Sequence, residues 1–178
     1  MHEVNAGGYR IYLSDVVPDL YDFYREGAML IEEFDLSAEE NALSFIGIGL
    51  DDERPSLLVM QRYSPDGAGF LPGVLVVPET STVFIGAGER LLAYRFDPAP
   101  RRLWTDTADI GFWGWSRSGI FVLMSAEVEF AVWTIDATKR WSTFADPPWD
   151  FTIDGDHVTL DCCGERTTYV LATGRKVG

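Results

Sequence analysis

Apolar and polar positions alternate along most of the chain, and over residues 74–178 the alternation repeats. Val83, Val122 and Val158 each open a short apolar run, and Tyr94, Trp133 and Tyr169 follow them at one interval of eleven residues. The steps between the runs are 39 and 36 residues. Period-two alternation of branched and aromatic residues with small or polar ones predicts strands, because neighbouring side chains on a strand face opposite ways. In the first unit Val83, Ile85, Leu91, Ala93 and Phe96 take inward positions, with Gly86-Ala87-Gly88-Glu89 as a turn. The second unit predicts strands over residues 121–125 and 130–135, and the third over His157–Cys162 and residues 167–171. Each unit then turns, at Asp97-Pro98, Asp136-Ala137-Thr138 or Thr173-Gly174, into a strand headed by two bases. Those pairs are Arg101-Arg102, Lys139-Arg140 and Arg175-Lys176.

Upstream the pattern loosens. Residues 9–13 and 29–34 read as strands, and residues 18–26 as one short helix with Pro18 in its first turn and Gly27 as its stop. Ser37-Ala38-Glu39-Glu40 matches a capping box and predicts one helical turn. Residues 44–50 and Leu57–Tyr63 read as strands joined by a charged turn over 51–55, followed by a loop over 64–72. No linker divides the chain. One domain is expected over 1–178, made of an acidic N-terminal part (1–73) and three blade-like β repeats (74–178). A β-meander period of roughly 36–45 residues is the kind that builds propeller blades. The expected fold is mainly β: antiparallel meander repeats forming a small or incomplete propeller-like or sandwich/roll fold, with one short N-terminal helix. Closing a ring takes at least ~4 blades. Residues 43–77, completed by 29–34, are candidates for a degenerate fourth, and residues 9–13 for a sealing strand beside the last repeat.

Two turn segments carry a family resemblance. Leu92-Ala-Tyr-Arg-Phe-Asp97 with Leu103-Trp104, and Ala131-Val-Trp-Thr-Ile-Asp136 with Lys139-Arg-Trp141, resemble blades of the quinoprotein-type (PQQ-like) propeller repeat. That repeat is commonly written Ala-x-Asp-x-x-Thr-Gly-Lys-x-x-Trp. The third copy keeps Thr173-Gly174-Arg175 without the tryptophan or the turn aspartate. The resemblance covers about 100 residues and implies architecture alone, because folds of this kind serve many functions. It brings no cofactor and no catalytic residue to this chain.

Charge narrows the partners. The net charge is −14, and residues 1–54 hold 13 acids against 3 bases. Nucleic acid and anionic membranes are held by cationic contacts, so this chain is expected to bind neither and to attract a basic partner. No apolar run approaches the ~18 residues of a membrane span. The N-terminus lacks the charged-then-apolar order of a secretory signal. A cytoplasmic protein is expected. Cys162 and Cys163 are adjacent and predict free thiols facing opposite ways, because a bond between neighbours would be badly strained, with a redox switch as the alternative.

The candidate chemistry is sparse. Trp104 and Trp141 hold equivalent repeat positions, as do Tyr94, Trp133 and Tyr169, which suits packing between sheets. Trp113, Trp115 and Trp149 break the pattern and fall between repeats, where clustered indoles suit a partner hot spot, a sugar platform or structural plugs. The basic pairs would align along one edge, with Arg102 and Arg140 as candidate binding residues. Edge protection against strand pairing is the alternative. Neither His2 nor His157 sits in a catalytic pattern, and no nucleophile elbow occurs. No metal site is legible, Asp154-Gly155-Asp156 reads as a hairpin turn, and Gly86-Ala87-Gly88 opens no helix. Glu127 and Glu129, with Glu89 and Glu165 near equivalent positions, leave one enzymatic route, glycoside hydrolysis by paired acids. The expected function is a non-catalytic protein-interaction protein for a basic partner, of inhibitor or immunity type. A carbohydrate-binding module or minor glycosidase is the alternative. Self-association is compatible with either.

Overall fold

The computed structural model describes residues 1–38, 41–50, 54–64 and 71–177. The chain begins with β1 (His2–Ala6), β2 (Tyr9–Ser14), α1 (Tyr21–Gly27), β3 (Leu30–Phe34), β4 (Ala42–Leu50) and β5 (Leu57–Tyr63). These strands form a first sheet in the order β1-β2-β4-β5-β3. Because α1 carries the chain across the sheet, β3 lies parallel to β5, whereas the other pairings in the sheet are antiparallel. The predicted capping box and charged turn, and most of the predicted loop, fall on residues 39–40, 51–53 and 65–70, outside the described residues.

The second sheet is the meander β6 (Gly73–Val77), β7 (Thr82–Ala87), β8 (Arg90–Arg95) and β9 (Arg101–Thr107). The third is β10 (Phe112–Ser118), β11 (Phe121–Ala126), β12 (Glu129–Thr134) and β13 (Lys139–Phe144). The fourth has three strands, β14 (Trp149–Asp154), β15 (His157–Cys162) and β16 (Glu165–Val170). The fold is therefore mainly β with four separate sheets in a propeller-like arrangement. The repeat interval has a direct structural meaning, since Val83 pairs with Tyr94, Val122 with Trp133 and Val158 with Tyr169 across their hairpins.

The sheets pack face to face in chain order through three apolar clusters. Ile11, Ile46, Ile48 and Val59 of the first sheet meet Val83, Ile85 and Tyr94 of the second. Phe84 and Leu91 of the second meet Met124 and Trp133 of the third. Leu123, Phe130 and Val132 of the third meet Val158, Leu160 and Tyr169 of the fourth. Two of these interfaces use the same part. The Trp104 ring stacks on Trp133 at 5.8 Å between centroids, and its indole N–H donates to the Ala137 carbonyl at 2.7 Å. One repeat later Trp141 stacks on Tyr169 at 5.5 Å and donates to the Leu171 carbonyl at 2.6 Å. Glycine is needed where sheets approach closely. A Cβ on Gly86 would lie 2.6 Å from the Phe112 ring, closer than packed carbons tolerate.

The first interface is held differently. The buried Tyr94 hydroxyl donates to Glu32 at 2.5 Å, Arg102 pairs with the same carboxylate at 3.1 Å, and the Arg90 guanidinium lies 4.5 Å over the Phe34 ring. Burial, and then the Glu32 carboxylate, push the Tyr94 hydroxyl far above the usual phenol range, so it stays a donor.

The two outer faces of the stack differ. On the first sheet Tyr12, Phe45 and Leu58 are covered by Tyr24 of α1. On the fourth sheet Thr152, Thr159 and Thr168 form a row across the three strands, beside a second row of Asp150, Asp161 and Arg166. The expectation that residues 9–13 seal a ring beside the last repeat is corrected. β2 lies inside the first sheet between β1 and β4, because its alternating Tyr9, Ile11 and Leu13 are used against the second sheet.

Candidate functional site

The residues singled out in the sequence do not converge on one place. A bulge in β10 between Phe112 and Gly114 puts the strand out of step. Phe112 and Trp115 consequently both enter the interface between the second and third sheets, whereas Trp113 faces the fourth. Trp115 packs against Phe84, Phe112 and Trp133 at 5.3–5.6 Å, and its buried indole nitrogen has no hydrogen-bond partner among the described residues. Trp113 and Trp149 do come together. Their rings stack at 5.3 Å and 17°. The Trp113 indole donates to the Glu127 carboxylate at 3.0 Å, and the Trp149 indole to the Glu127 backbone carbonyl at 3.1 Å. Trp149 is only 7% exposed, and Phe130 meets it edge-on. All three indoles lie on strands or strand edges, not in free loops.

All three basic pairs are exposed, but only Arg101-Arg102 on β9 and Lys139-Arg140 on β13 head an outer strand. The strand expected at Arg175-Lys176 is replaced by a single bridge from Lys176 to Tyr169, which leaves the fourth sheet with three strands. Their charges are partly engaged within the chain. Arg102 pairs with Glu32, Lys139 pairs with Asp106 at 2.8 Å, and Arg140 donates to the Ala172 carbonyl at 3.3 Å. The acids proposed for glycoside chemistry are engaged as well, because Glu127 holds Trp113, and buried Glu129 accepts the Asp109 N–H at 3.2 Å. Cys162 is half-buried between the third and fourth sheets, while Cys163 is exposed in the following turn, and both are free thiols. His157 pairs with Asp156 beside the turn at Gly155. Among the described residues, no three His, Cys, Asp or Glu side chains are grouped to hold a metal ion.

Among the described residues two surfaces stand out for their exposed chemistry. The fourth sheet's outer face forms an open depression of about 610 Å³ lined by Asp150, Thr152, Thr159, Asp161, Cys163 and Arg166. Arg166 donates to Asp161 at 2.8 Å and holds its carboxyl below the usual aspartate range. The second surface is α1 and the segment leading into it. Val16, Val17, Leu20 and Phe23 are exposed there, among exposed Asp15, Asp19, Asp22 and Glu26. The sequence carried a signal for this surface, because apolar residues 16, 17 and 20 fit neither the strand period before them nor the buried stripe of the helix after them.

No family model matches the sequence, and neither does any curated protein. Solved structures are similar in fold. The computationally designed Ika8 protein matches over 78% of this chain and 45% of its own length, at 12% identity and a TM-score of 0.50. The designed Ika4 protein matches over 64% of this chain and 74% of its own, at 13% identity and 0.47. A glutaminyl cyclase from Myxococcus xanthus matches over 85% and 69%, at 12% identity and 0.34. The chain thus spans less than half the length of Ika8. At these identities the similarity is one of fold alone.

Proposed function

We propose that this protein is a non-catalytic protein-binding module whose partner is basic, of a kind that holds and neutralises that partner. The observation that carries the reading is the distribution of charge. Residues 1–54 hold 13 acids and 3 bases, and exposed Asp15, Asp19, Asp22 and Glu26 enter no salt bridge among the described residues. Like charges held together by a fold repel one another, and a cationic surface relieves that repulsion while speeding encounter. The repeats themselves we read as quinoprotein-type blades, supported by the matched roles of Trp104 and Trp141. The sugar-binding alternative has less support, because Trp149 is buried, Trp113 is stacked upon it, and Trp115 lies between two sheets.

The test is to capture the partner, identify and purify it, and titrate it calorimetrically at rising salt. A partner of high isoelectric point whose affinity falls at least tenfold between about 50 and 300 mM salt is expected, since exposed charges are screened over that range. An acidic partner, or an affinity indifferent to salt, overturns the reading.

A further inference from the structure

The protein's apolar exposure and its excess acid coincide at one end of the stack. Among the described residues, 8 of the 13 exposed large hydrophobic side chains fall within residues 1–50. Val16, Val17, Leu20, Phe23 and Met29 are 61%, 50%, 52%, 36% and 68% exposed, and all five lie on α1 or the segments flanking it. Leu20, which caps the start of α1, and Phe23 in its first turn are both exposed, while Tyr24 points inward onto Tyr12 and Phe45. Asp15, Asp19, Asp22 and Glu26 interleave with these apolar groups. The opposite end differs in kind. No large hydrophobic exposed to this degree occurs between Phe144 and Val177, and the fourth sheet presents threonine, aspartate and arginine.

Isolated exposed apolar residues need no explanation, but a group of them within an acidic rim has the composition of a binding surface. From this we infer that the α1 face is the docking surface, and that its occupant is a basic protein presenting an apolar patch ringed by lysine or arginine. The inference rests on the basic-partner reading and adds where that partner sits and what its surface must contain. Charge selects this occupant. Asp15, Asp19, Asp22 and Glu26 are exposed and enter no salt bridge among the described residues, whereas one face of the Phe23 ring is already covered by the Arg54 guanidinium at 3.8 Å. A second copy of this chain would bring an equally acidic face, and the same repulsion that favours a cationic partner opposes self-pairing.

The test uses the full chain and two peptides of equal charge: an amphipathic lysine–leucine helix and a lysine–serine control. Amide shifts mapped by NMR are expected to cluster over residues 15–29 with the lysine–leucine peptide. The Leu20→Ser/Phe23→Ser variant is expected to weaken that peptide at least tenfold and to leave the control unchanged. Val16→Ser, at the most exposed of the four positions leading into and along α1, serves as a second variant with little effect on the fold. If the lysine–leucine peptide binds both variants as it binds the parent, or if its shifts map to Thr152 and Thr159, the surface assignment falls and the basic-partner reading stands. If neither peptide binds, both fall. Self-association that Leu20→Ser/Phe23→Ser abolishes would give the face to a second copy and overturn the assignment.

Discussion

Replacing Trp104, Trp141 and Trp115 by phenylalanine separates three indoles that all lie between sheets. Trp104→Phe removes the donor to the Ala137 carbonyl, and Trp141→Phe the donor to the Leu171 carbonyl, at sites where Ala137 is 5% and Leu171 1% exposed. A buried acceptor stripped of its donor costs about 1–3 kcal/mol. The smaller ring gives up about 1 kcal/mol more of buried apolar area. Each variant should therefore lose about 2–4 kcal/mol, and the two losses should agree within about 1 kcal/mol if the units are structural equivalents. Trp115→Phe should behave differently. Its indole nitrogen is buried without a partner among the described residues, so phenylalanine deletes an unsatisfied donor while giving up the same ring area. The two effects oppose each other, and the net change should lie within about 1 kcal/mol of zero. Urea denaturation followed by far-ultraviolet circular dichroism measures all three. A Trp115→Phe cost equal to the other two, or a difference of more than about 2 kcal/mol between Trp104→Phe and Trp141→Phe, would refute these roles.

Further outcomes follow from single contacts. Gly86→Ala should destabilise by about 1–3 kcal/mol, read as a lower Tm, because its Cβ would press on Phe112. The two hydrogen bonds from Arg117 hold the exposed Glu79 carboxyl below its ordinary value. The pair thus favours the fold above the unfolded carboxyl's titration range, and that contribution disappears as pH falls through the folded value. Arg117→Gln should move the Glu79 titration upward by NMR, and no movement would remove the cause assigned. Ellman's reagent should modify exposed Cys163 rapidly and half-buried Cys162 slowly, giving two kinetic phases. A single phase of two equivalents would contradict that placement.

The hairpins were legible because their signal is local. A strand pair with its turn lies within about a dozen residues, and the eleven-residue interval is the cross-strand pairing itself. The short helix was legible from Pro18 and Gly27, although α1 begins three residues after Pro18. The first strand of each repeat was harder. β10 carries Gly114, Ser116, Arg117 and Ser118, and a bulge breaks its period. β14 alternates well, with Trp149, Phe151 and Ile153 against Asp150, Thr152 and Asp154, but Pro147-Pro148 before it reads as loop. β1, with its exposed His2, Glu3 and Asn5, shows no buried face at all. The parallel pairing of β3 with β5 depends on a crossover that no period encodes. Neighbourhood in sequence groups Trp113 with Trp115, whereas a one-residue bulge decides which sheet each of the two meets.

Four sheets stack in series, placing the acidic α1 face and the polar fourth-sheet face at opposite ends. Paired spin labels on native Cys163 and on a cysteine replacing Asp22, with Cys162→Ser, measure that separation by double electron–electron resonance. Stacked sheets lie ~10 Å apart, so three intervals in series put the labels about 25 Å apart or more. A distance of about 15–20 Å, the spacing of neighbouring sheets with label arms added, would mean that the first and fourth sheets pack together and would break the serial order.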